Sequence, residues 1–184
     1  LDGELGPPTR GMGQVAPAPA IDDDMLAAIQ TDVLQLTVTA MAERGTPVRG
    51  ALFVDLMLVR GEPVVIDYNV RFGDPATQIL LSRISGDFYA ALRACIGDGD
   101  LRETVAKLHI DDRPRVSLVL AAKGYPERYE RGAKIDIDRR PFEQDPDLWL
   151  FEDGVRWVPK SADQDEWLET TGGRIFTIVA AADT

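Results

Sequence analysis

Between residues 25 and 41 the apolar positions Met25, Leu26, Ile29, Val33, Leu36, Ala40 and Met41 recur at steps of three and four. That is the period of a helix burying one stripe. Asp22, Asp23 and Asp24 stand just before it, supplying a cap and complementing the helix dipole. Gly45 followed by Pro47 gives the stop. Upstream, residues 1–20 are rich in Gly, Pro and Ala and read as an extended loop. Two β-rich runs come next, residues 49–59 and 63–70, separated by Arg60-Gly61-Glu62; this is the strongest hairpin signal in the chain. Residues 75–96 read as one or two helices broken near Ser85-Gly86, and the acidic stretch 97–100 closes that region.

After Arg113-Pro114 the texture changes to β, with runs at 116–122, 133–137, 148–151, 155–158 and 174–181. Strands at this spacing, with turn residues between them, predict a small antiparallel sheet rather than continued α/β alternation. The expected fold class is therefore α+β. The expected domains are residues 1–107, carrying a loop, a helix, a hairpin and further helices, and residues 108–184, small and β-rich.

Composition narrows the function. The 184 residues are 45% hydrophobic and 28% charged, an ordinary globular profile. A net charge of −11 disfavours nucleic acid or an anionic membrane as the main partner. It leaves room for a small anionic ligand, because local dipoles and a metal ion override the global sign. A single cysteine, Cys95, excludes an internal disulfide framework and, in its apolar surroundings, reads as a buried structural thiol. One histidine, His109, is too little for a Ser-His or Cys-His catalytic system. No apolar run approaches the roughly 18 residues of a membrane span, and the first residues lack a signal-peptide pattern. A cytoplasmic protein is the expectation.

The most informative stretch is Val64-Val65-Ile66-Asp67-Tyr68-Asn69-Val70-Arg71-Phe72-Gly73-Asp74-Pro75. Strand alternation sends Asp67, Asn69 and Arg71 to one face and Ile66, Tyr68 and Val70 to the other. A carboxylate beside an amide oxygen suits a hard cation such as Mg²⁺, and an arginine grips a phosphate or carboxylate with two hydrogen bonds. The hairpin partner adds Asp55, a lone charge in the apolar run Leu52-Phe53-Val54-Asp55-Leu56-Met57, costly there unless paired or metal-bound. The alternative is the exposed polar face of a surface hairpin.

The segment 66–75 resembles the Glu-Phe-Asn-Cys-Arg-Phe-Gly-Asp-Pro-Glu segment of glycinamide ribonucleotide synthetases (phosphoribosylamine–glycine ligases). Arg10-Gly11-Met12-Gly13 with Ala16-Pro17-Ala18-Pro19, preceded by Asp2-Gly3 and Gly6-Pro7, resembles that family's Gly-Gly-Met-Gly-Ala-Tyr-Ser-Pro-Ala-Pro loop. Ala121-Ala122-Lys123-Gly124-Tyr125-Pro126 and Thr171-Gly172-Gly173-Arg174 follow in the family's order. The resemblance implies the C-terminal part of an ATP-grasp domain followed by the β-rich domain. It implies an ATP-dependent C–N ligase that activates glycine as an acyl phosphate, with 5-phosphoribosylamine as the attacking amine and Mg²⁺ or Mn²⁺ as the metal. By motif, Asp67 and Asn69 correspond to the metal ligands and Arg71 to the anion clamp. Asp74 is the second catalytic candidate, ordering the turn before the helix or meeting the amine. Gly11, Met12 and Gly13 belong to the substrate loop, with Asp2 a candidate at the amine.

Some positions depart from the family pattern. Asp67 replaces Glu, Arg10 replaces Gly, Ala76 replaces an acidic residue and Lys123 a small one. Asp55 stands where the family usually has Gly and is a third candidate metal ligand, compensating across the hairpin for the shorter Asp67. Nothing here resembles the family's N-terminal domain or its ATP lid. The expectation is a fragment lacking the N-terminal part of the same enzyme and inactive alone. The alternatives are a carboxylate–amine ligase of the same superfamily with a changed substrate, or a non-catalytic scaffold remnant.

Overall fold

The computed structural model describes residues 6–183. They form two compact units, and the chain passes between them more than once. The first unit contains the described residues up to Ala16, the segment Asp74–Ser82, and the described residues from Arg113 onward. The second contains Pro17–Gly73 and Arg83–Asp112. Helices and antiparallel strands occur in separate runs, as the α+β expectation has it.

The first unit is built on a four-stranded antiparallel sheet. Its strands are β1 (Gly13–Ala16), β6 (Arg115–Ala121), β11 (Arg174–Ala181) and β8 (Leu148–Glu152), in that order. Helix α3 (Ala76–Ser82) packs on this sheet, and Ile79, Ala16 and Val179 form the core with Trp149 and Phe151 against it. Burial in β6 alternates with the strand period, but Arg115, Ser117 and Val119 point inward while Val116, Leu118 and Leu120 stay exposed. The Arg115 guanidinium lies over the Trp149 ring, 5.1 Å from its centroid, which gives that buried charge an aromatic face. A second sheet joins β7 (Lys134–Ile135), β10 (Trp167–Thr170) and β9 (Val155–Val158). Glu169 of β10 is buried and accepts from Arg156 at 2.7 Å and from the Trp167 indole at 3.3 Å.

Two elements of this unit differ from the sequence expectation. Residues 13–16, expected in a loop, form β1 because all four pair with β6. The strand Trp167–Thr170 was not expected, since of its three consecutive buried residues, Leu168, Glu169 and Thr170, only Leu168 is apolar.

The second unit holds the helix, the hairpin and two short helices. Asp22 caps the helix by accepting from the Met25 amide at 2.8 Å. The helix runs as α1 (Asp23–Ala28), a π-helical segment (Ile29–Gln35) and α2 (Leu36–Glu43). The expected buried stripe is narrower than its spacing suggested: Met25, Ile29, Val33 and Met41 turn inward, whereas Leu26, Leu36 and Ala40 are exposed. With half-buried Thr37 between Val33 and Met41 the inward residues fall at steps of four, and Leu34 beside Val33 is half-buried as well. In an α-helix that step drifts around the cylinder, and the wider i→i+5 turns of the π segment hold it on one face. The 21-residue helix Asp23–Glu43 also contains an 18-residue stretch of mean hydropathy 1.3, long and apolar enough by length and composition to cross a membrane. The sequence reading missed this because Gln30, Asp32, Gln35 and three threonines interrupt every apolar run.

The hairpin pairs β2 (Phe53–Val59) with β3 (Glu62–Asn69) through Arg60-Gly61. Both turn residues have positive φ, 55° and 86°, the two-residue geometry that matches strand twist. Helix α4 (Phe88–Cys95) is capped by Asp87, and α5 (Leu101–Val105), which lies beyond the expected helical region, by Asp100. The two-stranded pair β4 (Ile84–Ser85) and β5 (His109–Ile110) links the ends of this region. Cys95, expected to be buried, is half-buried at the end of α4.

Candidate active site

The candidate residues fall into two groups, one in each unit. In the second unit, Asp55 and Asp67 face each other directly across the hairpin, and the register shifts by a bulge immediately after Asp55. Asn69 lies two residues beyond Asp67 on the same face, and its amide nitrogen donates to the Asp55 carboxylate at 3.3 Å. Asp67 accepts from the Tyr68 amide at 2.8 Å. Two carboxylates opposite each other repel, and among the described residues no Lys or Arg pairs with either of them. The donor set of two carboxylates and one amide oxygen fits a hard divalent ion, which offsets that repulsion and accepts water or phosphate oxygens at its remaining positions. Among the described residues no group of three or more His, Cys, Asp or Glu side chains gathers.

Arg71 does not continue this row. The strand ends at Asn69, so alternation no longer fixes the direction of Arg71. Its guanidinium turns back to donate to the Phe72 carbonyl at 2.8 Å, leaving most of its donors free at an exposed position.

In the first unit, the glycine-rich loop meets the turn that starts α3. Gly11 has φ +90°, and a Cβ there would stand 3.1 Å from the Pro75 ring. The Met12 carbonyl accepts from the Val119 amide at 2.8 Å, and Gly13 opens β1 opposite Leu118. Asp74 forms an ion pair with Arg174, a contact spanning 100 residues of sequence. Arg174 also lies 3.7 Å from Asp153. Burial raises the Asp153 pKa above the usual aspartate value, with the nearby positive charge of Arg174 opposing the rise and Asp74 adding to it. A cavity of about 540 Å³ opens beside this chain of charges. Arg174 and Tyr125 were quoted in motifs at the sequence level without a role, and Asp153 gave no signal there. Asp2 lies outside the described residues.

A family model described as the phosphoribosylglycinamide synthetase ATP-grasp (A) domain matches residues 1–77, and one described as the C domain of that synthetase matches residues 115–184. The chain is 38% identical over 183 residues to the phosphoribosylamine–glycine ligase of Brucella melitensis, and 37% identical over 183 residues to that of Rhodopirellula baltica. It is covered fully in both matches and spans 40% of the length of each relative. The crystal structure of the phosphoribosylamine–glycine ligase from Thermotoga maritima superposes on all of the chain with a TM-score of 0.75 at 29% identity, over 42% of that protein. With both domain models matched in order and the fold reproduced along its whole length, the chain belongs to the phosphoribosylglycinamide synthetase family of ATP-dependent ligases.

Proposed function

We propose that the chain serves the ATP-dependent joining of glycine to 5-phosphoribosylamine, giving glycinamide ribonucleotide, ADP and phosphate by way of glycyl phosphate. The observation that supports this reading is the hairpin face, where Asp55 and Asp67 stand opposite each other and the Asn69 amide reaches the Asp55 carboxylate. These residues would hold Mg²⁺ or Mn²⁺. Such an ion, when bound, neutralises phosphate charge during transfer of the γ-phosphoryl group to the glycine carboxylate. Asp55 opposite Asp67 supports the idea that it compensates for the shorter side chain at position 67.

Arg71 clamps an anion, either the acyl phosphate or the glycine carboxylate, once it exchanges its bond to Phe72 for the ligand. Gly11 and Gly13 let the backbone approach substrate closely, and Met12 lies between them. Asp74, held by Arg174, orders the turn ahead of α3 and is available to the amine. The matched models at 1–77 and 115–184 support a division into a portion of the ATP-grasp domain, residues 1–107, and a β-rich domain, residues 108–184. Relatives that are ligases or multifunctional proteins of purine biosynthesis support small-molecule partners and a cytoplasmic setting.

A replacement experiment tests this reading. Residues 1–184 are exchanged for the matching segment of the Brucella relative, and ADP formation is followed with and without glycine and 5-phosphoribosylamine. Turnover that needs both substrates is expected. It should drop at least a hundredfold in Asn69→Ala, since a lost metal ligand removes several kcal/mol of charge stabilisation. Turnover unaffected by Asn69→Ala would contradict the assignment.

A further inference from the structure

Helix α3 begins against the four-stranded sheet, and Gln14, Asp74, Pro75, Ala76 and Ser117 all belong to the first unit. Ala76 opens α3, and the first amides of a helix have no partner inside it. Gln14 of β1 stands opposite Ser117 of β6 in the register, and Ser117 is 1% exposed. From there the Gln14 side chain reaches across to the start of the helix. The hydrogen-bond partners around its amide fix which end is nitrogen and which is oxygen. The nitrogen donates to the Pro75 carbonyl at 3.2 Å and to the Ser117 hydroxyl at 3.1 Å, and the oxygen accepts from the Ala76 amide at 3.2 Å. Reversed, the oxygen would face a carbonyl and the nitrogen an N–H.

Pro75 is buried and is held from a second side, since a Cβ at Gly11 would stand 3.1 Å from its ring. The turn is thus clamped between the glycine-rich loop and the Gln14 amide, and the residue just ahead of it is Asp74. The ion pair of Asp74 with Arg174 does not explain this placement. Its carboxylate side is 53% exposed, and a pair so open to water is weakly held on its own. Gln14 supplies what the pair lacks. It ties the peptide that follows Asp74 to β1 and β6, and β6 is the neighbour of β11, the strand that begins with Arg174. Gln14 also stands where the family loop has Ala, and Ala76 where the family has an acidic residue. In this chain the polar side chain at the contact stands on the strand.

We propose that Gln14 is the positioning residue for Asp74: its side-chain amide fastens the Pro75–Ala76 turn to the sheet and so aims the Asp74 carboxylate at Arg174. Gln14 acts through the backbone of the turn and touches no reacting group. The inference deepens the ligase reading and rests on it only for what Asp74 does toward the amine.

The test is Gln14→Met in the full chain, which keeps the length of the side chain and removes its amide. Hydrogen exchange at the Ala76 amide should quicken by about tenfold or more, and the guanidinium resonances of Arg174 should shift as Asp74 loses its fixed direction. The Val119 amide, which donates to the Met12 carbonyl, should keep its protection and so show that the glycine-rich loop still lies on β6. A merely structural role for Gln14 would quicken exchange throughout the sheet and leave the Arg174 signal of the folded molecules in place. That result overturns the proposal, as does an unchanged rate at Ala76 or an unmoved Arg174 signal. If Gln14→Met does not fold, the unsubstituted chain decides. A scalar coupling across the hydrogen bond, from the Ala76 nitrogen to the Gln14 side-chain carbonyl carbon, is expected, and its absence overturns the proposal. No metal, ATP or substrate is present in either measurement. Failure here therefore leaves the ligase reading standing, and failure of the ligase reading leaves the Ala76 and Arg174 results unaffected.

Discussion

The four-stranded sheet of the first unit and the hairpin of the second are written in the same alternating pattern but are covered very differently. In the sheet, Val179 and Thr177 are 0% exposed and Ser117 is 1% exposed. In the hairpin no residue is fully buried, and the apolar face of β3 is open, with Ile66 58% and Tyr68 45% exposed. The difference lies in what packs on each face. The sheet has α3 against it and neighbours on both sides of β6 and β11, whereas the hairpin has one partner strand per strand. Alternation assigns side chains to faces, and it does not say which face is covered. In β6 the covered face is the one with Arg115 and Ser117, not the one with Val116, Leu118 and Leu120. The consequence for function is a division of labour. The well-covered unit holds the cavity and the Asp74–Arg174 pair, and the open hairpin leaves Asp55, Asp67 and Asn69 on a poorly covered face.

The largest effect that could break this comparison is on stability. Phe176→Ala, at a residue 4% exposed, should cost about 3–5 kcal/mol in urea denaturation. Ile66→Ala, at a residue 58% exposed, should stay within about 0.5 kcal/mol. Equal losses would mean that the hairpin face is as well covered as the sheet. Next in size is Gly173→Ala. Its new Cβ would meet Tyr125 and Tyr129 at under 3 Å, so a loss of about 1–3 kcal/mol is expected. No loss would show the cavity wall to be soft.

The smallest effect concerns pH. The folded protein raises the Asp153 pKa, so it holds more protons than the unfolded chain in the interval just above the usual value of 3.8. Stability then falls as pH rises through that interval. Asp153→Asn should flatten this slope in thermal melts recorded across it, and an unchanged slope would assign the dependence to other carboxylates.

Much of this was legible in the residues. Arg60-Gly61 announces the hairpin turn because a two-residue loop between alternating runs needs positive φ. Asp22 and Asp23-Asp24 mark a helix start by chemistry that acts locally. The segment 66–75 carries the family resemblance and hence the proposal that Asp67 and Asn69 hold a metal. Other features depend on partners distant in sequence. Residues 13–16 become a strand only by pairing with β6. Glu169 and Thr170 are tolerated inside a strand because Arg156 and the Ala133 amide satisfy them. The Asp74–Arg174 pair and the cavity beside it arise where segments 100 residues apart meet. The π segment escapes a periodicity count because the four-residue step it favours is one that α-helical stripes also contain.

The hairpin assignment is tested most directly by titrating the chain with Mn²⁺ and mapping paramagnetic broadening of its amide resonances. Broadening should centre on Asp55, Asp67 and Asn69, saturate with added ion, and weaken in Asn69→Ala. Broadening centred on the acidic helix start at Asp22–Asp24, or left unchanged by Asn69→Ala, would contradict it.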